Sequence, residues 1–306
     1  MSAWLIKMAL MLAVVGGFLA FVEYYAIKHD DSMLRVRINW FEEHKDRVEG
    51  LIFGPSYIVR SINPAALDRP SASLALGGSG ANVDAKIFAK TIKTCNPEFV
   101  IMCYTDGWLE RRKDTEYFAS TKLSHYFGIR YDGWRLKDAF YSSYPLYRYF
   151  TAEPQPLPFN EQGFLLEVEP EKDLFRELEY DTLRIENYPK YARFSRFSGP
   201  RNSDENNRLN RKDLKSVVDI CRERNIKLIF LSPPLYYLYN EKIRPELGER
   251  GRLFLDEVVD NETVFYWDYH RFEEKSPRNF FNVNHMSPHG AKRFTAELNE
   301  RLNELE

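Results

Sequence analysis

Two short stretches at opposite ends of the chain carry the residues best suited to chemistry. In the first, Ser56 follows the apolar run Leu51–Phe53 and the turn residues Gly54 and Pro55. A short apolar run closed by turn residues is typical of a buried strand, so this serine lies where a strand gives way to a helix. There a hydroxyl projects from the carboxyl end of a sheet, and the free N–H groups of the new helix can stabilise an oxyanion. Ser56 is a candidate nucleophile; the alternative is a serine that caps the helix.

The second stretch, 281–291, contains Asn282 and, three residues later, His285. We expect His285 in a loop between the last strand and the last helix. Loops that follow parallel strands gather at one edge of a sheet, which puts His285 on the edge that carries Ser56. The imidazole could then act as a general base, oriented by the side-chain oxygen of Asn282. The alternative is an ordinary loop histidine, with Ser287 as the cap of the last helix.

The pattern around these stretches predicts the elements that must position them. Apolar runs typical of strands alternate with helical periodicity before residue 112 and after residue 210, which indicates an α/β fold with a mostly parallel sheet flanked by helices. The predicted strands are 51–53, a short one that begins at 71 and ends in a glycine-rich turn, 99–104, 227–231 and 263–267. The predicted helices are 85–93, 211–225, 239–259 and 288–305.

Between residues 112 and 210 the alternation fails. Aromatic residues crowd into 140–150, 154–158 is rich in proline, and 188–211 mixes aromatic residues with Arg, Asn and Ser. We interpret 112–210 as an insertion or cap over the sheet. Its tyrosines either line a carbohydrate or lipid-head-group site or pack a loop-rich subdomain.

The N-terminal residues 1–28 are predicted to form a transmembrane anchor. The segment 4–27 is almost wholly apolar and long enough to cross a hydrocarbon core of roughly 30 Å. A cleaved signal peptide is the rival interpretation, but no small-x-small site follows the run. Residues 29–48 are predicted to form a neck, and 49–306 the main domain. Lys7 alone precedes the span while Lys28, Arg35 and Arg37 follow it, which by itself favours a cytoplasmic domain.

Composition excludes several classes of protein. The 306 residues are 44% hydrophobic and 29% charged with a net charge of −2, which predicts a globular chain without the basic excess of a nucleic-acid-binding surface. Cys95, Cys103 and Cys221 are widely separated and form neither a metal-ligand spacing nor a disulfide framework. No P-loop or dinucleotide-binding glycine pattern is present. The sequence therefore predicts no metal and no cofactor.

Taken together, four short blocks resemble those of the SGNH/GDSL hydrolase superfamily. They are Gly54-Pro55-Ser56, the turn Gly77-Gly78, the segment 104–107 and Asn282-x-x-His285. The segments 62–64 and 285–291 resemble more closely its membrane-anchored, envelope-associated branch, which includes proteins of teichoic-acid D-alanylation and exopolysaccharide O-acetylation. The resemblance covers about 50–109 and 213–305 but not the insertion. It implies a three-layer, flavodoxin-like SGNH domain.

The resemblance also implies a role for each matched residue. Ser56 would be the nucleophile, and the oxyanion hole would take the N–H of Ser56 and that of Gly77 or Gly78. The family's oxyanion-hole asparagine is replaced here by Thr105, whose shorter hydroxyl puts that contact in doubt.

The family's last block supplies an aspartate and the histidine base. His285 matches the base, whereas Asn282 replaces the aspartate. In a serine-protease triad the same acid-to-amide change lowers turnover about ten-thousandfold, although an asparagine can still orient a histidine in papain-type proteases. Asp106 and Asp268 are the alternative sources of a carboxylate.

The function expected from the resemblance is that of a membrane-anchored acyl esterase or O-acyltransferase. It would act on a cell-envelope polysaccharide through an acyl-enzyme on Ser56, with the domain outside the cytoplasm despite the count of basic residues. Its expected partners are the membrane, a glycan or acylated polysaccharide, and a membrane-bound O-acyltransferase, but no nucleic acid. The alternative is a catalytically degenerate SGNH fold that binds a glycan or scaffolds a polysaccharide modification or export complex.

Overall fold

The protein is described here from a computed structural model of the chain. The structure describes residues 3–28, 30, 32–105, 107–110, 112, 117–130, 158–168, 172–189, 203–242 and 245–305.

The centre of the molecule is a five-stranded sheet in which every neighbouring pair of strands is parallel. Its order is β2-β1-β3-β4-β5, so the chain runs outward in both directions from the boundary between β1 and β3. In such a sheet, ligands bind beyond the carboxyl ends of the strands at that boundary. The strands are β1 (Gly50–Phe53), β2 (Ser71–Ser73), β3 (Phe99–Cys103), β4 (Lys227–Ser232) and β5 (Val264–Asp268).

Helices connect the strands and confirm the predicted α/β class. The first five helices in chain order are α1 (Ala3–Lys28), α2 (Met33–His44), α3 (Ser56–Ser61), α4 (Ala81–Thr91) and α5 (Tyr117–Phe127). The later ones are α6 (Leu174–Glu177), α7 (Thr182–Glu186), α8 (Ser203–Glu223), α9 (Tyr237–Asn240), α10 (Pro245–Val258) and α11 (Pro288–Asn303). Helix α8 begins eight residues before the predicted start at 211. The single helix predicted over 239–259 is two helices, α9 and α10.

Apolar side chains leave both faces of the sheet and are covered by helices on each side. On β1, Phe53 packs with Phe88 of α4 and belongs to a core that also contains Phe254 of α10. The neighbouring Ile52 points to the opposite face, into a core that contains Phe294 of α11. Each of these side chains is fully buried. A strand buried on both faces reads as a continuous apolar run, which is why β1 was recognisable in the sequence.

A small antiparallel ribbon precedes α11, formed by β6 (Phe280–Asn282) and β7 (His285–Met286). The sequence predicted a loop at this point. The ribbon pairs Asn282 with His285 across a two-residue connection. It therefore holds the two residues of the Asn-x-x-His motif opposite each other.

Described parts of the predicted insertion pack directly into the core. Helix α5 contacts α2 and α4. Phe164 and Phe175 are buried in the same apolar core as Ile58 of α3. The aromatic segment 140–150 lies outside the described residues.

Helix α2, in the predicted neck, is held against the sheet domain. Its Ile38 and Phe41 are buried, and the guanidinium of Arg37 is buried as well. Arg37 donates hydrogen bonds to the carbonyl oxygens of Ala75 and Gly163 at 2.9 to 3.1 Å. A buried guanidinium needs such acceptors, so α2 is fixed in place on the domain.

Helix α1 is apolar and largely exposed, with Ala26 near its end buried. Its segment Ala3–Ala26 has a mean hydropathy of 2.4 and is long enough to cross a membrane. A signal sequence near an N-terminus has the same length and composition. The helix is therefore a candidate membrane span.

Candidate active site

Ser56 is the first residue of α3, immediately beyond the carboxyl end of β1. The chain turns there through Gly54, whose φ of +147° lies in a region that L side chains rarely adopt. A Cβ atom at Gly54 would also lie 2.6 Å from the Cβ atom of Cys103 on β3. The glycine lets β1 and β3 approach closely while the chain turns into the helix, and this turn sets the position of the serine.

His285 faces Ser56 from the ribbon. The Nε2 atom of the imidazole lies 2.9 Å from the Oγ atom of Ser56, across 229 residues of sequence. The ribbon contacts α3, as does the helix α11 that follows it. The structure thus brings together the predicted nucleophile and the predicted base at hydrogen-bonding distance.

Asn282 occupies the third position of the chain of hydrogen bonds. Its Oδ1 atom lies 3.1 Å from Nδ1 of His285 and accepts the backbone N–H of Asn284, also at 3.1 Å. The N–H of Asn284 can only donate, so it fixes the amide oxygen of Asn282 toward the imidazole. Nδ1 of His285 therefore carries the proton, and Nε2 is the acceptor for the hydroxyl of Ser56. This is the tautomer that a general base needs.

The surroundings of His285 keep the imidazole neutral. Burial, and then the positive charge of the nearby Arg60, lower its pKa from 6.5 to about 4. Burial also lowers the pKa of Arg60 itself. The imidazole is therefore unprotonated at neutral pH and would be a weak base, because neither Asn282 nor Arg60 stabilises an imidazolium.

Two aromatic rings pack against the imidazole of His285. The ring of Phe281 stacks on that of His285 with centroids 5.4 Å apart, and Tyr57 packs at 5.7 Å with a tilt of 42°. The guanidinium of Arg60 lies over the ring of Phe281, 5.3 Å from its centroid. The hydroxyls of Tyr57 and Tyr239 are 3.4 Å apart. Rings packed in this way hold the imidazole plane in the orientation that both of its hydrogen bonds require.

Gly77 is the predicted oxyanion-hole glycine that lies beside the nucleophile. A Cβ atom at Gly77 would be 3.9 Å from the Cβ atom of Ser56. The next residue, Gly78, has a φ of +83° and forms the turn before α4. Among the described residues, none accepts a hydrogen bond from the N–H groups of Ser56, Gly77 or Gly78. These donors are therefore available to a substrate oxygen.

Thr105 follows the neighbouring strand at the same edge of the sheet. Phe53 of β1 pairs with Met102 of β3, so the chain leaving β3 emerges next to the turn that carries Ser56. Thr105 lines a cavity at this edge. Within the described residues no hydrogen bond joins its hydroxyl to Ser56 or His285.

The structure shows the position of only one of the two alternative carboxylates, Asp268. Asp268, at the end of β5, pairs through Oδ1 with the Nδ1 atom of His270 and accepts the backbone N–H of that residue at 3.2 Å. Burial acts to raise the pKa of Asp268, but the hydrogen bonds from His270 outweigh it and the pKa lies below its usual value. The carboxylate is thus engaged by His270 rather than by His285. Asp106 lies outside the described residues.

Three residues around His285 were not singled out from the sequence. Arg60 lies one helical turn after Ser56, a spacing that places both on one face of α3 and that could have suggested it. Tyr57 and Phe281 are each adjacent in sequence to a candidate residue. Only the fold shows that both rings contact the imidazole.

The chain matches no protein-family model, and a sequence search of curated proteins finds no match either.

Proposed function

We propose that this protein is a membrane-anchored serine acyl esterase or O-acyltransferase that acts on a cell-envelope polysaccharide. The observation that carries the proposal is the Nε2 atom of His285, 2.9 Å from the hydroxyl oxygen of Ser56. The parallel sheet, with both residues near its β1–β3 boundary, supports an SGNH-like three-layer domain. The block resemblance supplies the substrate class.

In the proposed reaction, Nε2 of His285 accepts the proton of Ser56 as Oγ attacks the carbonyl carbon of an acyl ester. The ester bond to the alcohol breaks, the alcohol leaves with the proton from His285, and the acyl group stays on Oγ. Water or a sugar hydroxyl then attacks the acyl-enzyme. Its proton passes through His285 to Ser56, which regenerates the free serine.

The oxyanion of each step would be held by backbone donors. The N–H groups of Ser56 and of Gly77 or Gly78 point to no acceptor among the described residues, and Gly77 is adjacent to the nucleophile. Thr105 is proposed as a side-chain donor in place of the family's asparagine. Loss of one such donor typically costs about 3 kcal/mol of transition-state stabilisation.

The proposed setting is the outer side of the cell membrane. Helix α1 supplies an anchor of sufficient length, and the acylated polysaccharide implied by the resemblance lies outside the cytoplasm. A membrane-bound O-acyltransferase would deliver the acyl group across the bilayer. A cytoplasmic domain would be cut off from that substrate. The side of the membrane is tested by treating whole cells with a membrane-impermeant thiol reagent, which should label a cysteine engineered on the surface of the domain.

A second candidate function is a catalytically degenerate SGNH fold that binds a glycan or scaffolds an export complex. The observation that favours it is the base itself, because His285 has Asn282 in place of a carboxylate and a pKa of about 4. A weakened base would remove most of the turnover while it leaves the fold intact.

Ester hydrolysis separates the two functions. The full chain in detergent is assayed for release of p-nitrophenol from p-nitrophenyl acetate, beside Ser56→Ala and His285→Ala. Ser216→Ala and His289→Ala, both at exposed positions, are the matched controls. The enzyme hypothesis predicts that activity is lost only in Ser56→Ala and His285→Ala. A shared background rate in all five proteins would reject it in favour of the binding module.

A further inference from the structure

A cavity of about 520 Å³ lies at the same edge of the sheet as Ser56, at the carboxyl ends of β3, β4 and β5 and under α10. Its volume lies in the range of small-molecule sites. Ser56 and His285 do not line it, so the proposed chemistry leaves the cavity unassigned. The polar side chains that line it include Thr105, Ser232, Arg252, Tyr266, Asp268 and His270.

The floor of the cavity is a fixed chain of hydrogen bonds. Ser232 donates to the carbonyl oxygen of Tyr104 at 2.7 Å, and its Oγ atom lies 3.0 Å from the hydroxyl of Tyr266. These contacts hold the hydroxyls of Ser232 and Tyr266 in place on the cavity wall.

Asp268 and His270 form a second polar unit on the β5 side. Oδ1 of Asp268 is occupied by the side chain and backbone N–H of His270. Among the described residues, none donates to Oδ2, and the carboxylate is exposed. The low pKa of Asp268 keeps it ionised at neutral pH. An ionised oxygen, held in place by a neighbour, is thus free to accept a hydrogen bond from a ligand.

The remaining groups define what kind of ligand fits. Arg252 and Asp256 lie one turn apart on α10 and offer donors and acceptors, while Leu235 and Leu255 add apolar wall. Two carboxylates against one guanidinium disfavour an anionic ligand. A saccharide without charge has hydroxyls that both donate and accept, together with C–H faces for the apolar wall.

The cavity is also well placed relative to the nucleophile. Thr105 forms one side of it, on the strand adjacent to the one that leads to Ser56. Asp268 forms the other side, two strands away, which corresponds to roughly 10 Å. The Thr105 end of the cavity is therefore the end nearer to the strand that leads to Ser56, and a sugar hydroxyl that acts as acceptor would have to lie at that end.

We propose that this cavity binds an uncharged saccharide unit of the acceptor polysaccharide, whose hydroxyl takes the acyl group from Ser56. This inference rests on the proposed function. The hydroxyl oxygen forms the new ester bond, the bond from the acyl carbon to Oγ of Ser56 breaks, and the hydroxyl proton passes through Nε2 of His285 to Oγ. A saccharide bound in the cavity would thus compete with water for the acyl-enzyme.

Binding is tested first, because it does not depend on the chemistry at Ser56. Calorimetric titration of the full chain in detergent uses cellotetraose and chitotetraose as uncharged probes and tetragalacturonate as an anionic one. Asp268→Asn and His270→Gln are compared with Asp219→Asn, an exposed aspartate on α8. Thermal melting followed by circular dichroism verifies that each variant is folded.

We expect at least one uncharged probe to bind, with about a tenfold or greater rise in Kd in both cavity variants and no change in Asp219→Asn. Absence of binding by both uncharged probes, tighter binding of tetragalacturonate, or equal Kd values in all folded variants would overturn the proposal.

Transfer is then measured by mass spectrometry of the bound probe after addition of p-nitrophenyl acetate. An acetylated probe supports the acceptor role. If p-nitrophenol is released but the bound probe stays unmodified, the acceptor role is rejected while the esterase survives. If Ser56 is never acylated yet the cavity binds the probe, the proposed enzyme fails and the saccharide site stands.

Discussion

The Nδ1 atom of His285 donates to the amide oxygen of Asn282 at 3.1 Å, where a serine-hydrolase triad has a carboxylate. The amide fixes the tautomer and the ring orientation of His285 as well as a carboxylate would. It cannot, however, neutralise the imidazolium that forms when the proton of Ser56 is taken. The site therefore has the geometry of a triad with an uncharged third member.

Restoring the carboxylate should raise the activity. In Asn282→Asp the backbone N–H of Asn284 still has its acceptor, and the new charge stabilises protonated His285. We expect kcat for p-nitrophenyl acetate to increase about tenfold or more, less than the roughly ten-thousandfold cost of the reverse change in a protease triad, because that cost includes loss of the correct tautomer, which Asn282 already fixes here. Asn261→Asp, in an exposed turn, is the matched control. An unchanged or lower kcat in folded Asn282→Asp would contradict this prediction.

The pH dependence of hydrolysis should reflect the low pKa of His285. The neutral imidazole is the active form, so kcat/KM should stay level at neutral pH and fall only as the pH drops through about 4. Arg60→Gln removes the positive charge that contributes to the shift. Its acid limb should therefore lie at higher pH, by roughly half a unit to one unit, with burial retaining the rest.

Arg208→Gln, which removes an exposed arginine of α8, is the control. The acid limb of its kcat/KM profile should lie at the same pH as in the unsubstituted protein. An acid limb near pH 6.5 in the unsubstituted protein would show that His285 is more exposed to water than the structure has it.

Gly77 should tolerate one extra carbon but not a branched side chain. A Cβ atom there sits 3.9 Å from the Cβ atom of Ser56, an ordinary contact, so Gly77→Ala should keep most of its activity. The methyl groups of Gly77→Val would enter the space beside the backbone donors. Labelling of Ser56 by a fluorophosphonate should then slow about a hundredfold, the usual effect of losing an oxyanion contact. Equal labelling rates in the two variants would remove Gly77 from the oxyanion hole.

Gly54 should be needed for stability rather than for chemistry alone. In Gly54→Ala the new Cβ atom would meet the Cβ atom of Cys103 at 2.6 Å, in a backbone conformation that alanine rarely adopts. We expect the free energy of unfolding in urea to fall by about 2 kcal/mol or more. Gly77→Ala is the control and should lie close to the parent. A stable Gly54→Ala would mean that the turn before Ser56 can relax.

Local sequence patterns were sufficient for the central sheet and for both members of the candidate pair, Ser56 and His285. Strand β1 was recognisable because its residues are buried on both faces and the run ends at Gly54 and Pro55. The separation of Ser56 from His285 posed no difficulty, since the carboxyl ends of parallel strands share one edge. The prediction thus rested on topology, and the structure places the two side chains in contact.

The features that sequence reasoning missed depend on contacts between distant segments. The strands β6 and β7 have three and two residues, too few to give a periodic pattern, so His285 was expected in a loop. Phe164 and Phe175 lie in the irregular stretch after residue 112, yet they complete the core beneath α3. Tertiary packing decided these positions, and no local propensity signals it.

The most direct test of the central claim is to look for an acyl group on Ser56. The full chain is incubated with p-nitrophenyl acetate, quenched in acid, digested and analysed by mass spectrometry, beside His285→Ala and the exposed control His289→Ala. We predict an acetyl adduct on Ser56 in the parent and in His289→Ala, and none in His285→Ala. A parent protein without an adduct on Ser56, or an equal adduct in His285→Ala, would contradict the assignment of Ser56 as nucleophile and His285 as its base.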